Sequence, residues 1–97
     1  MTKVTKKYNT IIIDGHANYA EYGQDIVCSA VSTLAQTLIC SLERLTDAKL
    51  NTIVNSGYIK IVYEESKEGV QLLVDSFFIG IEGVAAAYPE YVKVAKH

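Results

Sequence analysis

The chain has 97 residues, of which nine are basic and eleven acidic, and its formal net charge is −2. With 49% hydrophobic and 21% charged residues, the composition is that of a folded globular protein and excludes a disordered chain. The lack of a basic excess argues against a nucleic-acid-binding module. The apolar runs are short, so we expect no membrane span. We expect a single domain over residues 1–97.

Strand and helix signals alternate along the chain. Three consecutive isoleucines from Ile11 predict a buried strand that ends at Asp14. From Asp25, apolar residues recur every three or four positions and predict a largely buried helix that ends within 46–49. Asp25 is the predicted N-cap of this helix, because its carboxylate can accept a hydrogen bond from a first-turn N–H.

The second half of the chain shows the same alternation. Residues 51–54 and 58–63 predict a β-hairpin around an Asn-Ser-Gly turn. A second helix is predicted from residue 66 or 67 to Ala87, before Pro89, and a last short strand over 91–94. The predicted fold class is α+β, with two helices packed on one face of a small, mostly antiparallel sheet in the order β-α-β-β-α-β.

The segment between the first strand and the first helix predicts a loop. Residues 17–24 are polar and aromatic and have no clear period. Gly23 is a candidate hinge, and Tyr19 and Tyr22 are candidate lid aromatics. The alternative for the two tyrosines is simple packing on the following helix.

The two cysteines are predicted not to pair with each other. On one helix, Cys28 and Cys40 would be about 18 Å apart, whereas a disulfide needs Cα atoms within about 7 Å. Unpaired cysteines and an N-terminus without an apolar segment predict a cytoplasmic protein. Cys40 lies among leucines and an isoleucine and is expected in the core.

Cys28 and His16 are the candidates for chemistry. A first-turn position would favour a thiolate at Cys28, and backbone N–H groups there, including that of Cys28, could receive an oxyanion. His16 ends the preceding strand and could accept the thiol proton. The alternative is a surface histidine and a packed cysteine. Neither a metal nor another cofactor is predicted, because two soft ligands are too few and metal-binding spacings are lacking.

The residues around this pair resemble a known family. Gly15-His16-Ala17 and, after a short loop, the segment 23–32 (GQDIVCSAVS) resemble the GHA and GxDIVCAAVS signature of the ribosomal-processing cysteine proteases, the Prp family. Ser29 stands where the signature has alanine. Segment 88–92 (YPEYV) is similar to the family's C-terminal half, though less specifically.

The resemblance implies a small bacterial endopeptidase with an α+β fold that forms a homodimer. Family members remove a short N-terminal extension from a large-subunit ribosomal protein, and related phage enzymes process capsid or scaffold proteins. The implied partner is therefore a protein substrate, with no nucleic acid and no membrane.

The resemblance also implies roles for individual residues. His16 and Cys28 match the catalytic positions, and Asp25 and Ser32 match supporting positions. Asp25 either caps the helix or orients the His16 imidazole. Ser32 bonds either the histidine or substrate, or else its own helix backbone.

Two expectations remain to be tested against the fold. The family has a longer first strand and hairpin before its GHA element, whereas fourteen residues precede Gly15 here, so we expect an edge strand to be missing or shortened. The competing functional hypothesis is a non-enzymatic interaction module, a pseudoprotease that binds the same type of partner without cutting it.

Overall fold

The computed structural model describes residues 1–15 and 22–97, with side chains described for all of these except 22–25. Two helices and five strands confirm the predicted α+β class, and the predicted order β-α-β-β-α-β is followed from the second strand onward. The elements are β1 (Thr2–Lys7), β2 (Thr10–Asp14), α1 (Tyr22–Leu45), β3 (Leu50–Asn55), β4 (Tyr58–Tyr63), α2 (Val70–Ala87) and β5 (Val92–Lys96).

The five strands form one mixed sheet in the spatial order β3-β4-β2-β1-β5. β1 and β5 run parallel, and the other neighbouring pairs are antiparallel. The register places Ile11 beside Ile61, and Val4 between Ile13 and Val94. Since neighbouring strands in register present side chains to the same face, these apolar residues line one side of the sheet.

β1 is a strand that the sequence did not predict. It pairs with β2 on one side and with β5 on the other, so the expectation that this strand is missing is wrong, and the expectation that it is shorter than in the family stays a prediction. Hydrophobic alternation does not reveal this strand, because β1 is rich in lysine and Val4 is its only aliphatic residue. Thr2 and Val4 are nevertheless buried while Lys3 is exposed, so burial alternates as in any half-buried strand.

Both helices pack on the same face of the sheet and against each other. The helices approach closely at Gly80, where a Cβ would lie 3.0 Å from Cδ2 of Leu34 on α1. The buried core contains Val4, Ile11, Ile13, Val27, Val31, Ala35, Leu38, Ile39, Leu42, Ile59, Ile61, Tyr63, Val70, Val74, Phe77, Phe78, Ile81 and Val92. The core therefore draws on both helices and on every strand except β3.

Both helices begin at residues other than those predicted. α1 starts at Tyr22, so the loop predicted over 17–24 is wrong for its last three residues, and Asp25 is not the N-cap. α2 starts at Val70, later than predicted, because Gly69 precedes it in a left-handed conformation with φ 86°. The predicted end of α2 at Ala87 is confirmed.

Both helices are long and apolar enough to cross a membrane by length and composition alone. The short apolar runs in the sequence therefore do not by themselves exclude a membrane-spanning helix. This criterion is also met by core helices of soluble proteins, and here α1 and α2 each bury one face in the core shared with the sheet.

Candidate active site

Cys28 lines a small cleft between α1 and the ends of the strands. The cleft has a volume of about 60 Å³. Its lining residues are Thr2, Ile13, Gly15, Cys28, Val31, Ser32, Asn55, Gly57, Tyr58 and Ile59.

Gly15 directly follows β2 and lines one end of the cleft. Its N–H donates to the carbonyl of Gly57 at 3.0 Å, which ties the end of β2 to the β3–β4 turn. Its φ of 128° lies where residues with a side chain are strained. A Cβ at this position would also overlap the carbonyl oxygen of Met1. Both conditions require glycine immediately before His16 in the chain.

Thr2 also lines the cleft, and its hydroxyl oxygen is buried. The residue is 2% exposed, and its backbone N–H donates to the carbonyl of Tyr91 at 2.7 Å. Within the described part of the chain, its Oγ1 has no hydrogen-bond partner. Because β1 was not predicted, no sequence signal pointed to Thr2. Gly57, by contrast, was found in the sequence as a turn residue and not as part of a site.

Cys28 and Ser32 lie one turn apart on α1, as the sequence predicts, and both line the cleft. Cys28 is half-buried and Ser32 is exposed. Cys28 is, however, the seventh residue of α1, so the prediction that it lies in the first turn is wrong. In a regular helix its N–H is bonded to the carbonyl four residues earlier. The oxyanion donor predicted at Cys28 stays a prediction that this helix start does not support.

The remaining predicted site residues divide into two groups. His16 and Tyr19 lie outside the described residues. Tyr22, Gly23 and Asp25 belong to the first turns of α1 by their backbone, and their side chains lie outside the described part. Gly23 is therefore in a helix and not in the predicted loop.

Cys40 is exposed, so its predicted place in the core is wrong. It lies two residues from both Leu38 and Leu42, which are buried. Residues two positions apart on a helix lie on nearly opposite faces, because each residue turns the helix by about 100°. Both cysteines are free thiols, but only Cys28 lines the cleft.

A larger hollow of about 600 Å³ lies along the outer face of α1. It is lined by Ser32, Thr33, Gln36, Thr37, Cys40, Ser41, Arg44 and Leu45. All of these lining residues belong to α1, so the hollow is an open surface of one helix and not a cleft between two elements. We assign the active site to the smaller cleft because strands, turn and helix converge there on a thiol.

The comparison with known families identifies the class of enzyme. Residues 1–93 match the family model described as cysteine protease Prp. The chain belongs to this family. It is therefore a cysteine peptidase, which favours the enzyme over the non-enzymatic interaction module.

Individual relatives agree with the family match. The chain is similar to the ribosomal processing cysteine protease Prp of Staphylococcus aureus, with 26% identity over 91% of this chain and 86% of that protein. A crystal structure of S. aureus Prp with a substrate peptide has a TM-score of 0.87, at 20% identity over 99% and 97% of the two chains. A Streptococcus mutans crystal structure is 35% identical over 98% and 90%, with a TM-score of 0.78.

Proposed function

We propose that this Prp-family peptidase removes an N-terminal extension from a large-subunit ribosomal protein, with Cys28 as nucleophile and His16 as general base. The observation that carries the proposal is the cleft itself, where the thiol of Cys28 and the glycine that precedes His16 line the same space. Curated relatives are named for ribosomal processing, which favours a ribosomal substrate over a phage capsid or scaffold protein.

In the proposed reaction, the Cys28 thiol transfers its proton to His16 and attacks the scissile carbonyl carbon. The C–N bond of the resulting tetrahedral intermediate breaks as His16 donates the proton to the leaving amine. A water molecule, deprotonated by His16, then hydrolyses the thioester and restores the thiol. We further propose that Ser32, which lines the cleft, contacts the imidazole or the substrate, and that Asp25 orients the imidazole.

The proposed reaction is tested by incubating the protein with synthetic peptides spanning the extensions of ribosomal proteins and detecting products by mass spectrometry. We expect Cys28→Ala to abolish cleavage. Cys40→Ala is the matched control, since it removes the other free thiol on the same helix and should retain activity. Cleavage of none of the peptides by the unmodified protein, or cleavage only of phage capsid peptides, would contradict the proposed substrate.

The proposed dyad is tested by the rate at which iodoacetamide alkylates each cysteine between pH 5 and 9. We expect Cys28 to react faster than exposed Cys40, and His16→Ala to remove that difference. If His16→Ala leaves the Cys28 rate unchanged while Cys28→Ala abolishes cleavage, the nucleophile stands and the base is another group.

We also propose that the protein is a cytoplasmic homodimer. Exposed Leu45, Leu72 and Ile79 on the two helices leave apolar surface for a partner to cover. Sedimentation velocity at micromolar concentration tests the dimer, and fractionation of cells tests the location. A single monomeric species at all concentrations would refute the dimer without affecting the proposed reaction.

A further inference from the structure

Among the described residues, β3 is an edge strand without the usual protection against pairing. Its sequence, Leu50-Asn51-Thr52-Ile53-Val54-Asn55, contains no charged residue and no proline. Ile53 is 43% exposed and Val54 49% exposed, on opposite faces of the strand. Proteins ordinarily block such an edge with lysine, proline, a bulge or a covering element, because its free N–H and C=O groups can pair with another chain.

The hydrogen-bonding pattern identifies which backbone groups of β3 are free. The N–H of Glu64 donates to the carbonyl of Lys49 at 3.1 Å, whereas the N–H of Tyr63 donates to Asn9 on the other side of β4. In an antiparallel pair the bonded positions alternate, so Asn51, Ile53 and Asn55 bond to β4. The N–H and C=O of the alternate residues, which include Thr52 and Val54, therefore point away from the sheet.

The free edge leads directly to the active-site cleft. Asn55, the last residue of β3, lines the cleft together with Cys28. The cleft is small and opens to the surface, so the parts of a substrate on either side of the scissile bond extend onto the surface beside it. Next to the cleft, β3 offers a row of outward-pointing backbone groups that the described part of the chain leaves unpaired; the row is about 20 Å long, at about 3.3 Å per residue.

We infer that the peptide substrate binds as an added strand on the free edge of β3. The occupant is an extended, uncharged segment beside the scissile bond, with alternate side chains packing near Val54 on the helix side and near Ile53 on the open side. The inference rests on the proposed peptidase function and specifies how its site holds a substrate. Backbone hydrogen bonds would supply affinity, and the alternate side chains would supply selectivity.

A second copy of the chain fits this edge less well. An edge about 20 Å long and about 10 Å thick buries about 400 Å² when two such strands pair. A stable interface buries about 1,200 Å² or more. Strand pairing through β3 alone is therefore too small for a stable dimer, while it suits a substrate that must leave after cleavage.

The first test uses the unmodified protein and a cleaved peptide that is N-methylated at one residue at a time, at least two residues from the scissile bond. We expect kcat/KM to fall at least about tenfold at alternate residues and to change little at the residues between them, since N-methylation removes one donor and adds bulk. A fall without alternation, or no fall, overturns the inference while leaving the peptidase function intact. If no peptide is cleaved at all, the proposed function fails and this inference fails with it.

The second test changes β3 itself. Thr52→Pro removes an outward N–H without removing a bond to β4, and edge strands tolerate proline at such positions. We expect KM to rise at least about tenfold while the alkylation rate of Cys28 stays unchanged. Thr52→Val, which keeps the N–H, should have a KM well below that of Thr52→Pro. Unchanged KM in Thr52→Pro, or conversion of a dimer to a monomer by this substitution, would refute substrate binding at β3.

Discussion

The two edges of the sheet are built differently. β5 carries Lys93 and Lys96, and Lys96 forms an ion pair with Glu82 of α2 at 3.0 Å between Nζ and Oε1. The same ammonium lies 5.2 Å from the ring centroid of Phe78, so the lysine ties the edge to the helix. β3 has no charged side chain, and Thr52, Ile53 and Val54 are exposed.

The difference follows the position of the cleft. β3 ends at the cleft that contains Cys28, whereas β5 lies at the opposite edge of the sheet. An unprotected edge carries a risk of aggregation. The comparison teaches that the protein protects the edge remote from the site and leaves available the edge that reaches it.

The largest loss of stability is expected at Gly15, where the end of β2 lies against the first residue of the chain beside the cleft. Gly15→Ala forces a side chain onto a φ of 128° and against the Met1 carbonyl, and should cost about 3 kcal/mol or more of unfolding free energy. Urea denaturation followed by circular dichroism measures the loss. Gly83→Ala is the control, because a Cβ there meets nothing within 4 Å and should stabilise α2 by up to about 1 kcal/mol. Equal stabilities of the two variants would contradict the close approach at Gly15.

A matched pair of valines compares the packing of the two edges. Val92 of β5 is 2% exposed and Val54 of β3 is 49% exposed. Val92→Ala should lower the unfolding free energy by about 2 kcal/mol because it leaves a cavity, and Val54→Ala by less than about 0.5 kcal/mol. If the two variants lose similar stability in the same denaturation assay, then β3 is covered in solution and the comparison fails.

The next largest effect is a loss of unfolding free energy at high pH. It comes from Tyr63, the last residue of β4, which is the strand that pairs with β3. Burial, with smaller contributions from Glu65 and Asp75, raises the pKa of Tyr63 from 10.0 to about 12. The unfolded tyrosine ionises first, so the stabilising contribution is complete below pH 10 and is lost as the pH rises towards 12. We expect the loss to be about 1–2 kcal/mol. Tyr63→Phe should lack this pH-dependent loss when its unfolding free energy and that of the unmodified protein are measured between pH 9 and 12. If the two free energies fall in parallel with pH, the contribution of Tyr63 is contradicted.

The smallest effect is expected from the ion pair that fixes β5. The side chains of Lys96 and Glu82 are 50% and 48% exposed, so solvent screens their attraction. A double-mutant cycle with Lys96→Ala and Glu82→Ala should give a coupling energy of about 0.5 kcal/mol or less, and high salt should reduce it. A coupling above about 2 kcal/mol would show that the lysine holds this edge more strongly than its exposure implies.

Much of the fold could be predicted because it follows from local periodicity. The alternation of Ile59, Ile61 and Tyr63 in β4, and the three- and four-residue spacing in both helices, were sufficient to identify those elements. The start of α1 could not be predicted in this way, because its first three residues, from Tyr22, have no apolar period. Cys40 was predictable in principle, since its position two residues from Leu38 and from Leu42 places it on the exposed face.

The sequence by itself determined the elements with a clear period, the family signature, and the thiol and histidine proposed for the chemistry. Only the tertiary structure decided that β1 joins the sheet, that Thr2 and Gly57 complete the cleft, and that β3 is left open. The physical reason is the range of the interactions. Helix and strand periods are written in neighbouring residues, whereas β1 pairs with β5, so that Thr2 lies beside Val92 from the opposite end of the chain.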